Sequence, residues 1–463
     1  VNTLIYTSCI GLFCLLAEIL NLRKILVPFI LAGLAAVFYI NMSGWGAPAA
    51  NTIGGIDISH MIRTDNFSIA FNGLCIFIAS LIFIMSADYY KNEPKHLSDY
   101  LAIIVFILCG AIVLSGYWNM VMLFLGIEIV SISLYIMAGS RRFDVRSNEA
   151  GFKYFLMGSF ASGILLFGIA LVYGASGSFE LDKIAEYASS GNTGPLFQTG
   201  VLMVLMALLF KVAAVPFHFW SPDVYEGAPA LVTALMSTLV KIAVFAAFYR
   251  LVSIGFAGVH EYASLTLTLV AGATLVLGNL VALSQTSFKR LLAYSGISHA
   301  GYMLLGILSI SSAGSSSALF FYGLAYSLAT IGAFAVAIPV FSGAGNENIS
   351  AFNGLGKKKP LLAGFLTLFM LSLAGIPPLA GFLGKYSIFS EAVNSGYTAL
   401  TLLAIIGSIV GIYYYFKVIL AMYGKSPEEH ETNIPGAYWV VIVLCAALTL
   451  LLGVYPAGLI NLL

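Results

Sequence analysis

Apolar stretches of about twenty residues, separated by short polar connections, follow one another from end to end of the chain. A helix that crosses the hydrocarbon core of a bilayer needs about 20 consecutive, mostly apolar residues. Windows of that size place fourteen spans, near 3–20, 24–41, 67–88, 100–116, 118–139, 149–173, 197–220, 228–253, 261–285, 289–311, 316–341, 360–394, 398–423 and 436–460. Two connections are longer than the rest. In the first, Ile56, Ile58 and Ile62 alternate with polar residues after Gly54-Gly55, a hairpin pattern. In the second, residues 178–190 (SFELDKIAEYASS) read as a short amphipathic helix on the membrane surface. The pattern predicts an all-α polytopic membrane protein.

Composition agrees. Of 463 residues, 60% are hydrophobic and 9% charged, against roughly 25% charged in soluble domains. A net charge of +1 argues against nucleic acid as a partner. No polar stretch is long enough for a soluble domain, and the first apolar run lacks the basic flank and cleavage site of a signal peptide. Cys9, Cys14, Cys75, Cys109 and Cys445 lie in apolar segments without a CxxC pair. Zinc or iron–sulfur ligation is not expected of them, and they read as small buried hydrophobes.

Basic residues set the orientation, because cytoplasmic loops carry an excess of Lys and Arg. One set of alternate loops holds thirteen, among them Arg23, Lys91, Lys95, Arg141, Arg142, Lys289, Arg290, Lys357, Lys358, Lys359 and Lys425. The opposite set holds three, Arg63, Lys183 and Arg250. The first set is placed in the cytoplasm, and an even number of spans then puts both termini on the outer side of the membrane.

Five basic residues remain inside spans: Lys153, Lys211, Lys241, Lys385 and Lys417. Glu18, Glu128 and His299 join them, and His218 sits at a helix break. A charge at the bilayer centre costs at least about 2.5–3.5 kcal/mol on insertion scales, so each needs a reason. Lys417 and Glu18 lie near a cytoplasmic end and can snorkel or form a structural ion pair. Lys153 is open to either reading. Glu128, Lys211, Lys241 and Lys385 are flanked by apolar residues on both sides, as in FLGIEIVSI and GFLGKYSIF. Burial disfavours the ammonium form of a lysine and a nearby carboxylate favours it. Histidine titrates near neutrality unaided. Three lysines and a histidine gated by one glutamate have the composition of a proton relay.

Two spans are broken. Span seven reads LLFKVAAVPFHFWSPDVYEGAP, with Pro216 and Pro222; span twelve reads SLAGIPPLAGFLGKYSIF, with Pro377 and Pro378 among glycines. Non-helical backbone at membrane depth is tolerated only inside protein or along a wet cavity. Lys211 and Lys385 stand beside the two breaks. The breaks are five spans apart, so spans four to eight and nine to thirteen form two five-helix units of opposite orientation, a transporter pattern. The chain divides accordingly into an N-terminal three-helix segment (1–99), a first repeat (100–253), a second repeat (254–424) and a C-terminal helix (425–463). No phosphate loop, metal cluster or catalytic triad is present in the sequence; GLGKKKP at 354–360 reads as a cytoplasmic loop.

The stretches VPFHFWSPDVYEGAP (215–229), KRLLAYSGISHAGY (289–302) and GIPPLAGFLGK (375–385) resemble a known family. It is that of subunit N of the bacterial proton-translocating NADH:quinone oxidoreductase (respiratory complex I), the counterpart of mitochondrial NADH dehydrogenase subunit 2. The resemblance covers essentially the whole chain. Antiporter-like subunits L and M and Mrp-type sodium/proton antiporter subunits share the architecture but read WLPDAH-like where this chain has WSPDVYEGAP, and the long lateral helix of subunit L is lacking. The resemblance implies fourteen helices with broken helices seven and twelve. It makes Glu128 and Lys211 a coupling ion pair, Lys241 a connecting lysine, His299 a bridging residue and Lys385 a terminal lysine; Lys153 also falls on a family lysine. It implies no cofactor on this chain, with NAD, FMN, iron–sulfur clusters and quinone on other subunits, and subunits M, K and J as neighbours. An Mrp-type cation/proton antiporter subunit is the alternative.

Overall fold

The computed structural model describes residues 1–20, 22–46, 52–53, 55–91, 96–191, 193–424, 433–460 and 462–463. Nineteen α-helices follow one another among them: α1 (Asn2–Ile19), α2 (Arg23–Met42), α3 (Asn66–Tyr89), α4 (Leu97–Gly116), α5 (Met120–Ala138), α6 (Val145–Ser176), α7 (Leu181–Ser189), α8 (Pro195–Lys211), α9 (Trp220–Gly227), α10 (Ala230–Leu235), α11 (Lys241–Arg250), α12 (His260–Leu283), α13 (Phe288–Leu308), α14 (Ser315–Ala344), α15 (Leu355–Lys358), α16 (Pro360–Ala374), α17 (Ala380–Asn394), α18 (Thr398–Gly424) and α19 (Gly436–Val454). π-helical turns at Met236–Val240 and Leu251–Gly255 flank α11.

Twelve segments among the described residues are long and apolar enough to cross a membrane, with Ala230–Gly255 counted as one. The spans expected at 197–220 and 360–394 are each divided. α8 and α9 are separated by 212–219, and α16 and α17 by 375–379. Prolines explain both interruptions, since each lacks an amide donor and crowds the preceding turn. Side-chain and glycine caps finish the long helices. Asn119 accepts from Val121 N ahead of α5, and Asp144 from Arg146 N ahead of α6. Gly177 and Gly345 close α6 and α14 in the left-handed conformation.

The expected surface helix is α7, which buries Leu181, Ile184 and Ala188. The expected hairpin is a two-stranded antiparallel ribbon, pairing Thr52 with Asp57 and Ile53 with Ile56; Gly54 lies outside the described residues, as do Lys95 and Lys425. One expectation is corrected. Four cysteines are buried, but Cys9 is exposed, because it falls on the outward face of α1, where an apolar residue can meet lipid.

The chain forms two compact units. The first comprises Val1–Phe83, Tyr90–Ala213 and Leu239–Leu267; the second comprises Ile84–Tyr89, Ala214–Thr238 and Thr268–Leu463. In the first, α4 packs against α1, α5 and α11, while α6 lies between α5 and α8. Its loops around Arg63, Trp118, Asp182 and Arg250 are tied by charge. Arg250, with 2% of its side chain exposed, donates to Asp65 Oδ1 (2.7 Å) and to the Ser115 carbonyl (2.9 Å). Arg63 lies 4.0 Å over the Trp118 ring and pairs with Asp182 at 2.6 Å. Partial burial would raise the Asp65 carboxyl, but Arg250 beside it and hydrogen bonds from Ser68 hold it below its usual value. In the second unit α14 is central, with α10, α13, α16, α17 and α19 against it; its whole membrane-spanning window is buried.

Candidate functional site

Lys211 is the last residue of α8, directly before the first break. That position faces the negative end of the helix dipole, which favours a cation. Its ammonium donates to Ser131 Oγ at 2.7 Å and to the Tyr135 hydroxyl at 3.4 Å. Glu128, Ser131 and Tyr135 stand on successive turns of α5, so three- and four-residue spacing brings them to one side of the helix. Ser131 passes its own hydrogen to the Ile127 carbonyl, which leaves its oxygen lone pairs for Lys211. Ser162, from α6, donates to the Glu128 carboxylate. The Tyr135 hydroxyl lies beside both Ser131 and Ser162.

Glu128 and Lys211 therefore act on each other electrostatically but not as a direct ion pair; hydroxyl groups stand between them. Both are also only partly buried within the chain, although apolar residues flank each of them in the sequence. The reason is the helix faces involved: α5 and α6 turn Leu125, Ile129, Phe155 and Phe160 outward, and Glu128 lies near that margin.

A close approach holds Tyr135 in place. A β-carbon on Gly158 of α6 would stand 2.1 Å from the Tyr135 hydroxyl, so any larger residue there would displace the Tyr135 ring.

Lys153, also on α6, is held by Glu149 one turn earlier, at 2.7 Å, and has 38% of its side chain exposed. Lys241 has only 4% exposed and is the first α-helical residue after the π turn Met236–Val240. π turns inside α-helices are rare and recur at functional sites.

The second unit holds His299 and Lys385. His299, on α13 and 2% exposed, shares one ring nitrogen with the Tyr322 hydroxyl of α14 and the other, at 3.0 Å, with the Tyr415 hydroxyl of α18. Tyr415 continues to Ser295. Lys385, on α17 and 5% exposed, donates to the carbonyl of Ala374, the last residue of α16, at 2.9 Å, and to Ser408 at 2.8 Å. The second break thus supplies Lys385 with a main-chain acceptor that an unbroken helix would have used internally. Its ammonium also lies 5.2 Å over the Tyr302 ring. Asn279 connects Tyr302 to Tyr414, with contacts of 3.5 and 3.1 Å. At the break, Gly375 has a φ of +83°, and a β-carbon there would come within 2.9 Å of the Lys385 side chain.

His218 lies between α8 and α9, 7% exposed, with its Nδ1 unpartnered among the described residues. Close by, two sequence motifs explain each other. Arg290 pairs with Asp223 (2.8 Å) and Glu226 (2.9 Å), while the buried Lys289 donates to the Ala228 carbonyl and pairs with Glu347. The WSPDVYEGAP stretch is thereby fastened to the KR at the start of α13.

The residues read as structural are so engaged: Glu18 binds Arg23 and Ser98, and Lys417 donates to the Gln285 carbonyl at 2.7 Å. What sequence reasoning missed are the hydroxyls, chiefly Ser131, Tyr135, Ser162, Tyr322, Ser408 and Tyr415. One signal was available, the run Tyr413-Tyr414-Tyr415 inside an apolar span.

Fold and site together define a polytopic helical membrane protein with lysines at helix breaks and hydroxyl-lined polar interiors, the class of ion-translocating proteins. Residues 118–411 match the family described as NADH:quinone oxidoreductase/Mrp antiporter, TM, a range that holds all seven candidate residues. The chain is 46% identical over 456 residues to the NADH-quinone oxidoreductase subunit N of Flavobacterium psychrophilum, covering 98% of each. It is 45% identical to that of Flavobacterium johnsoniae, covering all of both. Among solved structures it matches a chain of respiratory complex I from Thermus thermophilus with a TM-score of 0.83 and 33% identity, over 99% of this chain and 98% of that one. A chain of the Mrp complex from a Dietzia species matches in fold, with a TM-score of 0.87 at 20% identity over 99% of this chain and 95% of that one. The chain belongs to the NADH:quinone oxidoreductase/Mrp antiporter family of membrane subunits.

Proposed function

We propose that the chain is a proton-translocating membrane-arm subunit of NADH:quinone oxidoreductase and fills the place of subunit N. The observation that carries this reading is the end-to-end likeness to subunit N of two Flavobacterium species. Within it, the enzyme is the whole complex. NADH oxidation, flavin, iron–sulfur clusters and quinone reduction belong to other subunits, and antiporter-like subunit M with small subunits K and J are its neighbours. The chain crosses the inner membrane fourteen times, counting the divided helices α8–α9 and α16–α17 as spans seven and twelve, with both termini outside and two inverted five-helix repeats.

Protons move, in this reading, along Glu128, Lys211 and Lys241 in the first unit and His299 and Lys385 in the second, with Lys153 and His218 as auxiliary groups. The hydroxyls beside Lys211 suit that task. A hydroxyl accepts one hydrogen while donating another, so Tyr135 can take a proton from Lys211 as it passes its own to Ser162, whose hydrogen moves to the Glu128 carboxylate. Glu128 favours the ammonium form of Lys211 while its charge stays near. A change at Glu128, transmitted through Ser162 and Tyr135, then decides whether Lys211 keeps its proton.

The Mrp-type alternative rests on the shared family description and on fold likeness at 20% identity. Mild solubilisation and a native gel separate the two. Co-migration of this chain with NADH dehydrogenase activity is expected; migration with a cation antiporter free of that activity would refute the assignment.

A further inference from the structure

The side of the second unit where α18 ends carries a groove that proton transfer does not use. It has a volume of about 450 Å³ and lies between α18, the turn before α13 and the 3-10 turn at Ile349–Phe352. One wall is apolar: Tyr413, Phe416 and Leu420 of α18, with Tyr413 67% and Leu420 64% exposed. Lys417 rises from the same wall, and Asn348 and Ser350 line the other.

Lys417 stands seven residues before the end of α18, a rise of about 10 Å, from which a lysine side chain can snorkel to the headgroups. One of its three ammonium hydrogens goes to the Gln285 carbonyl, and two remain for a ligand. The groove edge joins a basic segment. Gly354 N donates to the carbonyl of Ala421, a wall residue, and Lys357, Lys358 and Lys359 follow directly.

We propose that this groove holds an anionic phospholipid of the lysine-rich, cytoplasmic leaflet. One acyl chain lies along Tyr413, Phe416 and Leu420, and the phosphodiester accepts from Lys417. Charge complementarity selects the occupant. A net-negative headgroup meets Lys417 and the lysines at 357–359, whereas a zwitterionic headgroup would bring its own ammonium toward them. Basic pockets between membrane helices on the cytoplasmic side recognise acidic lipids in this way.

The test uses the assembled complex, purified and delipidated in detergent. Its thermal midpoint is followed while phosphatidylglycerol, phosphatidylcholine or inorganic phosphate is added. Phosphatidylglycerol is expected to raise the midpoint most. Lys417→Gln, and separately Leu420→Trp, which fills the groove but keeps the lysine, should each remove at least half of that extra rise, while Lys417→Arg retains it. An equal rise with phosphatidylcholine or inorganic phosphate, or an undiminished rise in both Lys417→Gln and Leu420→Trp, would overturn the proposal. A photo-reactive phenylalanine at position 420 supplies an independent reading: a phospholipid adduct supports it, and cross-linking to another subunit refutes it.

Discussion

Lys211 and Lys385 both stand at a broken helix, yet the two breaks stabilise their lysines differently. Lys211 is itself the end of a helix, and its ammonium meets side-chain hydroxyls with Glu128 in electrostatic range. Lys385 reaches back from the next helix to a main-chain carbonyl and Ser408, and it forms no ion pair among the described residues. A helix end offers a fixed partial charge, whereas a carboxylate offers a charge that can move or be neutralised. In the proposed relay the first lysine is the one to be switched and the second the one to be held. The same backbone device, a proline-induced break, serves both.

The largest effect is expected where the fixed partner leaves no substitute. Lys385→Ala should lower NADH-driven proton uptake in proteoliposomes by tenfold or more, equivalent to about 1.4 kcal/mol of barrier, with Lys241→Ala close behind. Lys417→Ala, which removes the contact to the Gln285 carbonyl and the proposed phosphodiester contact but no group of the relay, should leave uptake within about twofold. Equal losses in all three variants would erase the distinction between relay and surface lysines.

Next comes the switch. Glu128→Gln and Lys211→Met should each impair coupled turnover, and the double variant should lose less than the two losses combined, because the residues share one network. Strict additivity would show the hydroxyl bridge carries no coupling. Glu128→Asp should be milder than Glu128→Gln.

A smaller, more pointed effect is expected from Gly158→Ala. The added methyl group cannot coexist with the Tyr135 hydroxyl where it lies, so Tyr135 must swing away from Lys211. The variant should match Tyr135→Phe in proton uptake, a loss of roughly three- to tenfold, and adding Tyr135→Phe to it should change nothing more. Normal uptake in Gly158→Ala would remove Tyr135 from the path.

The smallest effect lies away from both breaks. The Asp65 carboxyl is held below its usual value, so its bond to Arg250 contributes stability that is complete above the unfolded value near 3.9 and is lost as pH falls through the lower, folded one. Asp65→Asn should lower the thermal midpoint of the solubilised complex at pH 7, and the gap from wild type should close below about pH 4. A gap independent of pH would mean that Asp65 acts through shape rather than charge.

The helices and lysines were legible in the sequence because a charge inside an apolar run stands out against its neighbours. Proline pairs marked the breaks for the same reason. The hydroxyl partners were not legible. Serine and tyrosine are common in membrane helices, and nothing local to Ser131, Ser162 or Ser408 says that a lysine will arrive from a helix far along the chain. Glu128 looked enclosed because flanking residues in a sequence do not reveal which helix face turns outward. Gly158 reads as an ordinary small residue until the Tyr135 ring is placed against it. The pairing of Arg290 with Asp223 and Glu226 was likewise hidden, since the resemblance supplied the motifs without their reason.

The π turns at either end of α11 have a consequence for its phase. Each accommodates one residue more than the α-helical turn it replaces, and one residue corresponds to about 100° of rotation. Between them α11 is a ten-residue cylinder that carries Lys241 at its start. Deleting one residue from Met236–Val240 would not simply shorten the span. It would move Lys241 by one helical position, a turn of about 100° from its present bearing.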